Sequence, residues 1–292
     1  MHFVIAGGSG FIGGYLTRLL IDQCQQVTII SHSDPAVVKA RLHKHYHLND
    51  QNFTLLNYQE YQGEGDILIN LAGESLGAKA ITTRRLNILR KSRFDVIEEL
   101  TNKDKLPPIF IQASGISLYP NQAEPQGEHA PTTGTGEIAT LARDLEERAE
   151  ELVEKHHTPH YYWARFGIVL HRSGGFIKKA SFIPPFTVIH GDNKIPFIEL
   201  NDACNALIFL AQNADKITSG PVNFTSTSPA TLKELLHCCY KTSKLPPIPI
   251  ITGFLHLGDR RMQMLNCDQT ILPEVLLEHG FMFQTPLIAD VK

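Results

Sequence analysis

The segment Gly7-Gly8-Ser9-Gly10-Phe11-Ile12-Gly13 constrains this chain more than any other. It follows Phe3-Val4-Ile5-Ala6, a short apolar run that reads as a buried strand. It leads into Phe11 to Cys24, where Phe11, Ile12, Tyr15, Leu16, Leu19 and Leu20 recur at helical spacing. Val27 to Ile30 then reads as a second buried strand. A strand, a glycine turn, a helix and another strand within 30 residues require a crossover connection, and hence a parallel sheet.

The glycines have a chemical reason as well as a geometric one. The backbone must turn sharply and then lie flat against a pyrophosphate, and a Cβ at Gly7 or Gly10 intrudes on both. The helix start at Phe11 and Ile12 offers unsatisfied N–H groups and the positive end of a dipole to that anion. Gly13 lets the helix approach the strand. The expected fold class is therefore α/β, a Rossmann doubly wound parallel sheet with a nicotinamide dinucleotide at its carboxyl edge.

The alternation continues down the chain. Ile67 to Gly73 is a strand running into a glycine, Ile81 to Leu100 an amphipathic helix, and Ile109 to Ala113 a strand ending in Ser114-Gly115. Glu137 to His156 is a charged helix, whose run from Arg143 to Glu154 reads as a solvent-facing surface. Tyr161 to Ala164 is a strand ending at Arg165. From Ser173-Gly174-Gly175 the texture changes, with loops at Pro184-Pro185 and Pro246-Pro247, a helix over Asp202 to Ala211 capped by Asn201 or Asp202, and a strand over Pro221 to Phe224. This predicts a core over residues 1–170, joined by later elements from about 190–225, and a small C-terminal substrate lobe interleaved within 171–292.

Which nicotinamide cofactor binds is usually decided where the second strand ends, by an acid for the ribose hydroxyls or by basic and polar groups for a 2′-phosphate. Here the tip reads Ser31-His32-Ser33-Asp34. The missing acid at the tip favours NADP, with NAD possible, and Asp34 beside Pro35 suits a helix cap. A net charge of −3 gives no case for nucleic acid, and no apolar run is long enough for a membrane span. Five cysteines without a CxxC pair fit reduced thiols in the cytoplasm. His43, His45 and His47 read as a solvated basic face rather than a metal site.

The opening glycine segment, with Asn70-Leu71-Ala72-Gly73-Glu74, resembles extended and atypical short-chain dehydrogenase/reductases. Thr83-Arg84-Arg85, Lys91-Ser92-Arg93, Arg165-Phe166-Gly167-Ile168-Val169-Leu170, Gly174-Gly175 and Leu200-Asn201-Asp202 narrow the resemblance to the YfcH-like epimerases. That family is described as NAD(P)-dependent nucleoside-diphosphate-sugar epimerases. The resemblance implies that the backbone of Leu71, Ala72 and Gly73 contacts the adenosine side of the cofactor.

It also raises a catalytic question. Active members of the superfamily use a Ser or Thr after the fifth strand, then a Tyr followed four residues later by a Lys. Ser114, Ser117 and Tyr119 follow the strand as expected, but residues 137–145 hold no Tyr. Arg143 is the cation nearest the Lys position and is expected against the cofactor. The Tyr-x-x-x-Lys at Tyr240 to Lys244 lies far from the core in chain order. Ser114 and Tyr119 are thus the catalytic candidates. The expected activity is oxidoreduction or epimerisation of a small polar molecule, with a nucleotide sugar as one option. The alternative is a cofactor-binding redox sensor or regulatory protein without turnover.

Overall fold

The computed structural model describes residues 1–180, 186–189, 191–240, 248–251, 265 and 267–291. Strand β1 (His2–Ala6) passes through the glycine turn into helix α1 (Phe11–Asp22) and on to β2 (Gln26–Ile30). There follow α2 (Pro35–Tyr46), β3 (Thr54–Leu56), β4 (Ile67–Asn70), α3 (Thr83–Thr101) and β5 (Ile109–Gly115). Helix α4 (Glu137–Lys155), β6 (His160–Phe166), α5 (Leu200–Gln212) and β7 (Gly220–Phe224) complete the core.

All pairings in the seven-stranded sheet are parallel, in the order β7-β6-β5-β4-β1-β2-β3. Strand order therefore reverses between β1 and β4, and in an open α/β sheet that switch point opens a crevice at the strands' carboxyl ends. The alternation of a strand explains why both faces are covered. Phe3 and Ile5 of β1 enter one fully buried cluster with Leu16, Leu20 and Leu207, while Val4 and Ala6 enter another with Leu68, Phe110 and Leu152.

Local chemistry sets the helix ends. Asp34 caps α2 as expected, its carboxylate accepting from the N–H groups of Ala36 and Val37, with Pro35 beginning the helix. Thr82 caps α3 by accepting from Arg85 N–H at 3.2 Å. The cap of α5 is Glu199 rather than Asn201 or Asp202: its carboxylate accepts from Asn201 N–H at 2.6 Å. Asp202 is buried instead, holding the backbone N–H groups of Gln284 and Thr285.

Between β6 and α5 the chain builds a second, smaller core. Leu170, Ile195 and Phe197 pack there with Leu232, Leu235 and Leu236 of the helix Leu232–Tyr240. The strand Ile168–His171 pairs in parallel with Phe197–Glu199, a connection the sequence pattern did not suggest. The chain then returns to the sheet, where α5 lies against α1 and β7 pairs with β6. The loops at Pro184-Pro185 and Pro246-Pro247 fall outside the described residues.

Candidate functional site at the carboxyl edge of the sheet

The glycine turn is closed by Gly10 N–H donating to Gly7 C=O at 2.9 Å. Gly7 has φ +79, where side chains are strained, and a Cβ there meets the Leu71–Ala72 backbone at 2.9 Å. A Cβ at Gly13 falls 2.3 Å from Gly7 C=O, so this glycine sets how closely α1 approaches the turn. Tyr46 braces the turn from α2, donating to Gly10 C=O at 2.9 Å. Helix α1 starts at Phe11 with no side-chain cap and no acid in its first turn. Its first N–H groups and its dipole therefore face the crevice uncompensated. The Phe11 ring turns away to pack against Gly174 and Gly175, where a Cβ lands 2.5 Å and 2.8 Å from it, while Ile12 C=O contacts Cys204 of α5. This cradle fits the pyrophosphate of a dinucleotide.

At the tip of β2, Ser31 Oγ accepts from Ser33 N–H at 3.0 Å. The His32 ring stacks on Tyr58 at 4.1 Å, with Nε2 3.7 Å from a Glu99 oxygen. Asp34, the acid nearest in sequence, is occupied in capping α2. At β4, Leu71 N–H continues the ladder to Ala6 C=O at 3.0 Å, and Ala72 N–H is held by Asn70 Oδ1 at 3.1 Å. The following loop is bound from α3. Arg85 donates to the Glu74 carboxylate at 2.8 Å and to Ser75 C=O, and Arg93 donates to Glu74 C=O. Burial, together with the neighbouring Arg85, lowers the Arg93 pKa to about 10. Gly73 (φ +151) lies against the Arg93 guanidinium.

Beyond β5 the site departs from expectation. Ser114 Oγ donates to Glu146 Oε1 at 2.6 Å. Arg165 grips the same carboxylate with Nε at 3.0 Å and Nη2 at 2.8 Å, and its Nη1 donates to the Tyr119 hydroxyl at 2.8 Å. That hydroxyl in turn donates to Asn223 Oδ1 at 2.8 Å. Tyr119 is 1% exposed, and burial raises its pKa against the opposing pull of Arg165. Burial pulls the Arg165 pKa down, but the hydrogen bonds and charge of Glu146 raise it overall. The two catalytic candidates are thus joined in one network that spans β5, α4, β6 and β7.

Arg143 does not reach this network. Its Nη2 donates to Thr132 C=O and Gly134 C=O, both at 3.0 Å, so it holds the loop before α4. Ala139, one helical turn earlier, is 1% exposed and occupies the wall where the expected Tyr would project. Glu146 corrects the reading of α4 as solvent-facing: its side chain is 12% exposed and is turned inward by Arg165. Tyr240 belongs to the helix of the smaller core, and Lys244 lies outside the described residues. His43 and His45 sit on α2 and His47 is its left-handed C-cap, with no metal-binding group of side chains among the described residues. The five cysteines form no disulfide. No helix among the described residues is long and apolar enough to cross a membrane.

A cavity of about 460 Å³ opens between the end of β5, the start of α4 and the smaller core. Ser114, Ser117 and Tyr119 reach its wall from one side, Ile138 and Ala139 from α4, and Ile195, Cys267 and Gln269 from the other.

Residues 3–141 match the NAD dependent epimerase/dehydratase family. The epimerase family protein YfhF of Bacillus subtilis (strain 168) is 26% identical over 320 aligned positions, which span 100% of this chain and 99% of YfhF. Residues 3–141 thus resemble the epimerase/dehydratase family, and the whole chain aligns with an epimerase family protein. Epimerase family protein SAB0724c of Staphylococcus aureus is 24% identical over 97% of this chain and 95% of its own. Among solved structures, the human epimerase family protein SDR39U1 (isoform 2) with NADPH superposes at a TM-score of 0.79 with 20% identity, over 99% of this chain and 96% of that one. UDP-glucuronic acid 4-epimerase from Bacillus cereus, with UDP-glucuronic acid and NAD, superposes at 0.77 with 16% identity over the same shares. At these identities the two structures establish a common fold.

Proposed function

We propose that this epimerase-like chain binds NADP(H) across the β1–β4 switch point and transfers hydride to or from a small molecule held in the cavity beside β5. The observation that carries the reading is the uncapped start of α1 above a turn in which Cβ atoms at Gly7 and Gly13 have no room. The bound nicotinamide supplies the hydride acceptor or donor. The chain supplies the rest. N–H groups at Phe11 and Ile12 hold the pyrophosphate, the backbone of Leu71 to Gly73 lines the adenosine side, and Ser31, His32 and Ser33 receive the 2′-phosphate. The NADPH held by SDR39U1 supports the phosphorylated cofactor, and the NAD held by the Bacillus cereus enzyme supports a nicotinamide dinucleotide in general. The absence of a membrane-spanning helix among the described residues and the absence of disulfides fit a cytoplasmic setting.

In this reading Ser114 and Tyr119 frame the reacting end of the cavity and remain protonated at neutral pH. The Ser114 proton points to Glu146 and the Tyr119 proton to Asn223. A second reading, cofactor binding without turnover, is favoured by Ala139 at the Tyr position. Fluorescence titration with NADPH and NADH tests the first claim, and tighter binding of NADPH is expected. Tighter NADH, or no binding of either, overturns it. Consumption of NADPH that depends on an added carbonyl compound separates the enzyme from the sensor.

A further inference from the structure

UDP-glucuronic acid, held by the Bacillus cereus enzyme of similar fold, carries a diphosphate, and that group sets the test for the wall of this cavity. Among the described residues no lining side chain is charged. Glu146 and Arg165, which stand behind Ser114 and Tyr119, are paired with each other at 2.8 Å. The start of α4 opens at Gly136 on the cavity without a side-chain cap, but Glu137 sets a carboxylate in its first turn. A diphosphate removed from water without cationic partners loses solvation that nothing in the wall replaces. Sites that recognise phosphate answer that cost with arginines or unopposed N–H groups.

The polar groups of the wall narrow the ligand further. Ser114 and Tyr119 are committed to the buried network. Gln269 Nε2 donates to Tyr119 C=O and Pro120 C=O, both at 3.1 Å, and Asn121 Oδ1 accepts from Asp268 N–H. Ser117 is half-buried in the wall, on the short turn Ile116–Leu118, and its hydroxyl has no hydrogen bond to any described residue. Gly115 leaves the approach open: a Cβ there has only Ser117 Oγ within reach, at 3.9 Å. Leu76, Ile116, Ile138, Phe166 and Ile195 supply the apolar surface around it.

We infer that this cavity takes an uncharged, largely apolar substrate whose oxygen is held by Ser117, and does not take a nucleoside diphosphate sugar. The inference rests on the cavity being the substrate side of the proposed cofactor cleft. Saturation-transfer NMR with acetophenone and with UDP-glucose tests it, on the protein alone and with saturating NADPH, after NADPH binding has been titrated separately. Acetophenone should receive saturation, lose it in Ile138→Trp, and bind roughly two- to tenfold more weakly in Ser117→Ala, the range of one neutral hydrogen bond. UDP-glucose should show no signal that Ile138→Trp removes. If Ile138→Trp does not fold, Thr135→Trp at the exposed rim fills the same mouth. A UDP-glucose signal abolished by the filling variant overturns the inference, as does acetophenone binding that ignores it. Equal binding to Ser117→Ala removes Ser117 from its role. Failure of NADPH to bind, with acetophenone behaving as expected on the protein alone, rejects the cofactor reading and leaves this one standing.

Discussion

Two strand ends face the same crevice and differ in what they keep. After β1 the turn has close-packed glycines, an uncapped helix start and no acid in the first turn. At the end of β5, the hydroxyls expected to move a proton are tied to Glu146, Arg165 and Asn223. The first end presents its polar groups to a ligand; the second uses them to join four core elements. In this chain the turn after β1 keeps the geometry expected of it, while the hydroxyls at the end of β5 are drawn into a side-chain network.

The sharpest way to break this comparison is at Arg165. If the β5 end is architectural, Arg165→Met leaves Glu146 buried without its partner and costs about 3–5 kcal/mol of stability in urea unfolding. A loss under about 1 kcal/mol would show that the network is dispensable to the fold and return Ser114 and Tyr119 to chemistry. The β1 end should respond in the opposite way. Gly10 has φ −75, and a Cβ there meets Gly7 C=O at 3.1 Å, so Gly10→Val folds with a small local shift. The protein alone should keep its stability, while the roughly 2.7 kcal/mol added by NADPH at about 100 times its dissociation constant disappears. Gly13 cannot serve for this test, because its Cβ collides with the turn at 2.3 Å whether or not cofactor is present.

The two serines at and just past the end of β5 sharpen the contrast within a few residues of chain. Ser114→Ala removes a hydrogen bond to a charged carboxylate and should cost about 1.5 kcal/mol. Ser117→Ala removes none among the described residues and should stay within about 0.5 kcal/mol of the parent. Thermal unfolding of both variants, side by side, reads the difference. Equal losses would place both hydroxyls in the architecture.

The same contrast explains what was legible in the sequence. The glycine turn was readable because its demands are local: a positive φ at Gly7, a close approach at Gly13 and a helix start at Phe11 all lie within seven residues of chain. The β5 network joins Ser114 to Glu146 across 32 residues, Arg165 to Tyr119 across 46 and Tyr119 to Asn223 across 104. No spacing rule links such positions, because tertiary packing alone brings them together. Glu146 was hidden in a run of charges that otherwise does face water, as the exposed pair Arg148–Glu151 shows. Arg143 misled for a related reason. Its place in the sequence matches the expected Lys, but its guanidinium is taken up by the loop carbonyls of Thr132 and Gly134.

The smallest effect lies behind Tyr119, at Glu128, which is 3% exposed. Its carboxylate accepts from the N–H groups of Asn223 at 2.9 Å and Glu274 at 3.1 Å, so it orients the residue that receives the Tyr119 proton. Burial raises the Glu128 pKa, and the nearby Glu274 adds to the rise, while the backbone N–H groups pull against it. A carboxyl whose folded-state pKa exceeds its unfolded value contributes stability that is complete below the unfolded pKa, about 4.3, and is lost as pH rises through the folded value. Glu128→Gln does not titrate there and supplies the reference. The unfolding free energy of the parent, relative to that variant, should therefore rise as pH is lowered from neutrality and level off below about 4.3. The slope is the reading, since the amide also alters the hydrogen bonds and shifts the level at every pH. A difference that instead grows with pH would mean that the backbone N–H groups outweigh burial. Glu128 would then hold a charge behind Asn223, and the β5 end would carry an electrostatic bias on Tyr119 that a purely architectural network lacks.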